Sequence, residues 1–392
     1  MLALKCQKIL KCLILAAFMI FICHNPVYAQ NDISSPQYII QKNLGNGEVE
    51  QVERIVDDVL DEADVHGFSA EDILNSALRG SPMENLKGVP KLVLNLLGRE
   101  IRANLTLIVR LYAIILLGAV IRCLQPFRSG IPNEAAKLAV NGIIILTASV
   151  SFGTVAEIAA NTIGSLQNIA SVAMPALVAL MAASGQIVSI GAIQPVMLIC
   201  VNIACQIFKN ILLPMTVMAA LLFLVDSVCE RFRLKNLADL FKSCTVWITA
   251  ALTLTFSLLI SVQRIAGSSV DAVTLKTTRF AIGSFVPVAG KYMADAAETI
   301  MQCAFAVRNA AGLLTIIGLV IICLVPFIKV IVIMFALKLT AAIGAPVCDE
   351  AVCDGLEEAT GCLSVVLGIM CSSLFVLVLL TGSLMTLSGF LG

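Results

Sequence analysis

Long apolar stretches alternate with short polar ones along most of the chain, and this pattern predicts membrane-spanning helices. A helix needs about 20 predominantly apolar residues to cross the hydrocarbon of a bilayer. We therefore predict an all-α, polytopic integral membrane protein with about eight transmembrane helices, a cleaved signal peptide and short external amphipathic helices. The predicted spans are approximately 105–121, 138–155, 169–183, 187–208, 211–229, 246–262, 313–337 and 364–387.

The same pattern divides the chain into five segments. Residues 1–29 carry three lysines and then an apolar run over 12–22 that is too short to span a bilayer. Small residues follow, ahead of a cleavage point after Ala29. This order is typical of a secretory signal peptide. The predicted segments are a signal peptide at 1–29, an external amphipathic helical segment at 30–103, spans one to six at 104–262, an external amphipathic or re-entrant loop at 263–312, and the C-terminal spans with a short acidic amphipathic loop at 313–392.

The external segment contains a clear helical repeat between residues 49 and 63. Apolar residues recur at helical spacing, and carboxylates occupy the opposite face. We interpret that acidic face as a solvated surface rather than as paired carboxylates for acid catalysis. Farther on, Ser69 to Asp72 resembles a capping box that would begin a second helix.

The basic residues of the short loops predict how the helices are oriented. Loops 122–137 and 230–245 are rich in Lys and Arg, and the positive-inside rule places them in the cytoplasm. Lys209 and Asn210 are expected to form a tight hairpin between spans four and five. The loop at 263–312 falls outside, although its five basic residues are a mild conflict with the rule. The C-terminus is placed outside unless the seventh span consists of two half-helices.

Charged residues at membrane depth are functional candidates because their insertion costs roughly 2.5 to 3.5 kcal/mol. Arg110, Asp226, Lys329 and Lys338 qualify. Arg110 is interpreted as an interfacial side chain, and Asp226 and Lys338 lie near predicted helix ends. Lys329 follows Pro326 within a long apolar run, where it could satisfy a carbonyl freed by the proline or line a polar pathway.

The predicted loop at 263–312 is neither strongly charged nor of low complexity. Its apolar stretch over 280–290 is punctuated by Gly283, Pro287 and Gly290, and it is too broken to span. A polar stripe at helical spacing follows, made of Lys291, Asp295, Glu298 and Gln302. The stripe belongs either to a partner-binding or pore-lining helix, or to an amphipathic helix lying on the membrane surface.

The composition argues against several classes of function. Lys plus Arg equals Asp plus Glu, at 26 each, so the chain is not a strongly basic nucleic-acid binder. The two histidines, His24 and His66, precede all the spans, and no phosphate-binding loop, zinc-binding helix or nucleophile elbow is present. The closest cysteine cluster, Cys348 to Cys362, lacks zinc spacing. We therefore expect no enzyme activity, no cofactor and no metal site.

Several stretches together resemble the stage III sporulation protein AE family. The most specific stretch runs from Thr278 through Gly290 to Thr299. Others are the Ser151-Phe152 pair, the small-residue turn at 183–185 followed by Pro195, and the Pro-Phe-Ile-Lys run that begins at Pro326. The resemblance covers most of the chain, from about Phe68 to the C-terminus, and none of its motifs is catalytic.

This resemblance implies a role at the junction between a mother cell and its forespore. It implies a multi-pass protein of the mother-cell-derived outer forespore membrane, in a channel complex needed for late forespore gene expression. The implied partners are the other proteins of the stage III sporulation A operon and, across the gap, stage II sporulation protein Q or its equivalent. The alternative is a stand-alone secondary transporter. Candidate partner-binding or conduit residues are Arg279, Gly283, Pro287, Gly290, Asp295, Glu298, Pro326 and Lys329.

Overall fold

The computed structural model describes five continuous stretches of the chain. They are 132–183, 199–227, 234–285, 290–344 and 350–385, with residue 196 and scattered residues between 50 and 120. Every regular element within these stretches is helical, which confirms the all-α prediction. The predicted signal peptide lies outside the described residues.

Five long helices make up the body of the protein. They are α1 (Pro132–Ala183), α2 (Ile199–Asp226), α3 (Lys235–Phe285), α4 (Gly290–Gly344) and α5 (Glu350–Met385). Each contains a stretch long and apolar enough to cross a membrane. Within the described ranges there are thus five candidate spans, fewer than the eight predicted from the sequence. Predicted spans two and three lie in α1, and the described parts of predicted spans four and five lie in α2. Most of predicted span one, 105–121, falls outside the described residues.

The predicted hairpin at Lys209 and Asn210 is wrong. Both residues lie in a π-helical turn, Phe208–Leu212, and the chain continues through it into Leu213–Asp226. Helix α1 likewise continues through the predicted loop at 156–168. The reason is visible in α1, where Ala159, Ile163 and Leu166 are buried while Glu157 and Asn161 are exposed on the other side of the helix. A polar interruption does not end a helix whose other face is packed.

Two further expectations about the C-terminal half change. Helix α4 runs through Pro326 without a break, so the seventh predicted span is one helix rather than two half-helices. The segment 263–312 is not a re-entrant loop, because it consists of the end of α3 and the beginning of α4. Residues 286–289, within the Gly- and Pro-punctuated stretch, lie outside the described residues.

Helix α5 lies at the centre of the bundle. It contacts all four other helices, whereas α3 contacts α2, α4 and α5. Short connections between α2 and α3, α3 and α4, and α4 and α5 make these pairs antiparallel neighbours. Large apolar side chains remain on the outside of the bundle, among them Leu146 and Val150 of α1, Trp247 and Leu258 of α3, and Phe335 of α4. A surface of this kind is suited to lipid rather than to water.

Candidate functional site

The N-terminal segment packs against the bundle through the apolar face predicted from its helical repeat. Val52 and Val56 are buried in a cluster with Ala70, with Ala173 and Ala176 of α1, and with Ala310 and Leu314 of α4. The approach to α4 is close, since a Cβ atom on Gly318 would lie 3.0 Å from Cγ2 of Val56. A larger residue at Gly318 would therefore push the segment away from α4.

The opposite face of this segment is acidic and exposed, as predicted. Glu50, Asp57 and Asp58 all face outward. Asp57 also has a structural role, because its Oδ1 accepts a hydrogen bond of 2.8 Å from the backbone N–H of Ala70. A carboxylate from an earlier helix thus caps the helix that contains Ala70. The predicted cap residue, Ser69, lies outside the described residues.

Glu53 lies between these two faces. Partial burial raises the pKa of its carboxyl above 4.5, and the neighbouring carboxylates of Glu71, Asp57 and Glu50 raise it further. The same surroundings therefore disfavour the ionised form of Glu53 when the segment is docked.

A second contact joins the N-terminal region to α4 farther along the helix. The ammonium of Lys329 lies 4.0 Å from Oε1 of Glu100. The Glu100 side chain is only 7% exposed, whereas that of Lys329 is 42% exposed. Lys329 was singled out from the sequence, but its carboxylate partner was not. The contacts at Gly318 and Lys329 are about 16 Å apart along α4.

Arg308 is a buried charge that the sequence analysis missed. Its side chain is fully buried, and Nη2 donates a hydrogen bond of 3.1 Å to the carbonyl of Met385, at the end of α5. The guanidinium also lies over the Phe305 ring, 4.9 Å from its centre. A cation at a helix C-terminus is stabilised by the helix dipole. In the sequence, Arg308 is simply one more basic residue of a predicted loop, and nothing there signals this contact.

A second charged cluster joins α3 and α5 at the opposite end of α5. Glu358 accepts from the ammonium of Lys242 at 3.5 Å and lies 3.6 Å from that of Lys235. Lys242 also lies over the Phe223 ring, at 5.2 Å from its centre. Gly361 leaves room for it, since a Cβ there would be 2.8 Å from the ammonium.

Asp226 ends α2 beside this cluster. Its Oδ1 accepts hydrogen bonds from the backbone N–H groups of Leu234 and Lys235, at 2.6 and 3.0 Å. The carboxylate therefore closes the connection between α2 and α3 and begins α3. This position at a helix end agrees with the solvated helix-end interpretation made from the sequence, and it gives no sign of a transport site.

The other predicted residues lie apart from Lys329. Arg279 and Gly283 are in the last turns of α3, and Gly290, Asp295 and Glu298 are in the first turns of α4. The side chains of Arg279, Asp295 and Glu298, together with Pro287 and Arg110, fall outside the described residues. Because Glu298 and Lys329 are separated by about 46 Å of helix, these predicted residues do not form a single site. Pro326 is one turn from Lys329 within α4.

The chemistry of the described residues is that of packing and ion pairing. Among them there is no group of three His, Cys, Asp or Glu side chains that could hold a metal ion. The five long helices that could each span a membrane, and their lipid-compatible surface, are the features expected of an α-helical membrane protein.

The chain belongs to the stage III sporulation protein AE family, whose model matches residues 68–389. It is similar to a Bacillus subtilis (strain 168) protein named stage III sporulation protein AE. The two are 29% identical over 279 residues, which cover 71% of this chain and 69% of the relative. No solved structure matches the chain. Membership of this family implies a role in sporulation.

Proposed function

We propose that this chain is a multi-pass component of the channel complex that links mother cell and forespore and sustains late forespore gene expression. In this role it acts as a non-catalytic membrane platform in the outer forespore membrane. Its partners would be the other proteins of the stage III sporulation A operon and stage II sporulation protein Q or its equivalent. The proposal rests on family membership and on one structural observation, the N-terminal segment docked along α4.

The docked segment supports this role because it combines a membrane anchor with a water-facing surface. Val52 and Val56 attach the segment to α1 and α4, while Glu50, Asp57 and Asp58 remain exposed. Carboxylates need water or cationic partners, so this face belongs in an aqueous space. If the predicted signal peptide is used, that space is the gap between the two membranes, where partner proteins of the forespore would be met.

The proposal is tested by replacing the gene in the native host. Cells that lack it are expected to complete engulfment, after which a late forespore transcription reporter stays dark and the forespores collapse. Val56→Asp should reproduce this defect because a buried carboxylate would detach the segment. The matched control is Asp58→Asn, an exposed change two residues away, which should sporulate normally. Both variants must reach wild-type amounts in the membrane fraction.

Normal, heat-resistant spores from the deletion strain would refute the proposal. The stand-alone transporter would then lead, and uptake by the purified protein in proteoliposomes would test it. The broken seventh span is one argument for a transporter, and this span is a continuous helix in α4, so that argument no longer supports the alternative.

A charge exchange separates two roles of Lys329. Lys329→Glu should block late forespore expression, because two carboxylates would then face each other at Glu100. If the pair only holds the N-terminal region on α4, the double variant Lys329→Glu with Glu100→Lys should restore expression. A double variant that stays defective but keeps the segment protected from protease would show that Lys329 has a further role, such as lining a conduit.

A further inference from the structure

The exposed face of α1 changes its chemistry near Gly153. Before that point the outward residues are apolar, and Leu146 and Val150 are 67% and 70% exposed. Beyond it, the same face carries exposed polar residues at helical spacing, namely Thr154, Glu157, Asn161, Asn168 and Ser171. Successive members are three, four or seven residues apart, which keeps them on one side of the helix.

Helix α2 adds a second polar row beside the first. Asn202, Gln206 and Asn210 are exposed. The rows are joined by a hydrogen bond of 2.7 Å from Nε2 of Gln167 to Oδ1 of Asn202. We call these exposed polar residues of α1 and α2 the amide face.

A π-helical turn of α2, Phe208–Leu212, contains Asn210 of this second row. The amide of Asn210 donates to Oε1 of Gln206. Single π-turns inside α-helices occur frequently at functional sites, and this one is built into the amide face.

Lipid cannot cover the amide face. It lies on α1 and α2, each of which contains a stretch long and apolar enough to span a membrane, and hydrocarbon offers no hydrogen-bond partner to an amide or a carboxylate. Its occupant must therefore be polar, either protein or water.

We propose that the occupant is a second copy of this chain, packed amide face to amide face. Asn and Gln side chains each carry a donor and an acceptor, so a surface made of them is complementary to itself. The charges on the face are also complementary, with Glu157 on α1 and the half-buried Lys209 on α2. Such a surface can form a two-fold contact in which each carboxylate meets the other copy's ammonium.

The small residue at the edge of the face permits close approach. No atom lies within 4 Å of where a Cβ on Gly153 would be. Membrane helices associate through small residues and interhelical hydrogen bonds, and both are present here. The proposal concerns self-association alone, so it does not depend on the sporulation role and can fail or succeed separately from it.

Cysteine crosslinking of the full-length protein in membranes tests the proposal. Single substitutions Glu157→Cys, Asn161→Cys and Asn168→Cys are compared with Val150→Cys, which lies on the same face of the same helix in its apolar part. The unsubstituted protein controls for its native cysteines. Oxidation is expected to give a covalent dimer with at least one of the three polar positions, and none with Val150→Cys.

Two results of the crosslinking experiment would overturn the proposal. Equal dimer formation at Val150 would indicate random collision. Labelling of the polar positions by a membrane-impermeant thiol reagent, without any dimer, would show that the face is open to water. If the cysteine variants fail to accumulate, the mass of the unsubstituted protein in lipid nanodiscs decides the question. A dimer that becomes a monomer in Asn161→Leu supports the proposal, and a monomeric unsubstituted protein refutes it.

Discussion

Helices α5 and α3 are both apolar enough to span a membrane, yet they occupy opposite environments. In the most apolar stretch of α5, 67% of residues are buried inside the protein, against 28% in α3. Hydropathy alone does not separate them, because both lipid and a protein core accept leucine. Buried hydroxyl groups do not separate them either, since α5 buries Thr360, Ser364, Ser372 and Ser373, and α3 buries Thr245, Thr249 and Thr253.

The two helices therefore contribute differently to stability. Helix α5 packs on four helices and has contacts fixed at both ends, by Arg308 at Met385 and by the lysines at Glu358. Helix α3 presents Trp247, Leu254, Leu258 and Val262 to its surroundings. Changes in α5 should unfold the bundle, and similar changes on the outer face of α3 should be absorbed by lipid.

The largest expected effect comes from the same truncation made in each helix. Leu363→Ala in α5 removes a fully buried side chain and should destabilise the protein by about 2–5 kcal/mol. Leu258→Ala in α3 truncates a side chain that is 65% exposed, and its effect should stay within about 0.5 kcal/mol. Thermal unfolding of both purified variants in one detergent measures the difference. Equal losses of stability would mean that α3 is as closely packed as α5.

A second contrast lies within α5 itself. A Cβ on Gly355 would lie 2.6 Å from Cβ of Ser227 and 3.0 Å from the carbonyl oxygen of Phe223. Since that carbonyl belongs to the backbone of α2, Gly355→Ala should cost about 1–3 kcal/mol. Gly368→Ala is the matched control, because no atom lies within 4 Å of its Cβ position, and it should stabilise by up to about 1 kcal/mol. A stable Gly355→Ala protein would show that α2 and α5 are farther apart than described.

The charged contact between α3 and α5 should contribute less. Lys242 is mostly buried and Lys235 largely exposed, although both meet Glu358. Lys242→Met should lower stability by about 1 kcal/mol, because Glu358 loses its less exposed partner while water still screens the pair. Lys235→Met should change it by less than about 0.5 kcal/mol. Unfolding of both variants at low and at high salt measures these losses of stability. A larger loss with Lys235→Met would show that Lys235, and not Lys242, is the stronger partner of Glu358.

Sequence periodicity predicted the surfaces of this protein better than its connections. The repeat around Val52 and Val56 correctly predicted which face is apolar, because helical spacing directly determines which side chains share a face. The hairpin at Lys209 was wrong because a polar pair was interpreted as a turn, although a helix tolerates polar residues on an outer face. Pro326 was likewise given too much weight, since a continuous apolar helix on both sides holds α4 together.

Contacts between distant residues could not be predicted from the sequence. Glu100 and Lys329 were both visible as charges, but no spacing rule connects positions so far apart in the chain. Arg308 contributed only to a count of basic residues in a predicted loop. Its role depends on its contact with Met385, which is 77 residues away in the chain.

The smallest expected effect concerns the N-terminal segment. Burial and neighbouring carboxylates raise the pKa of Glu53 above 4.5 in the docked state. Because the docked state holds this proton more tightly than the undocked state, docking should strengthen as the pH falls through the raised pKa toward 4.5, and it should be weakest at neutral pH. Glu53→Gln removes the charge at every pH, so it should strengthen docking at neutral pH and flatten this dependence. Hydrogen exchange at Val56 and Ala70, compared between neutral and mildly acidic pH, measures the pH dependence of docking.

The control is Asp58→Asn, whose exposed carboxylate should leave the pH dependence unchanged. An identical pH dependence in Glu53→Gln and in the unsubstituted protein would mean that another group controls docking.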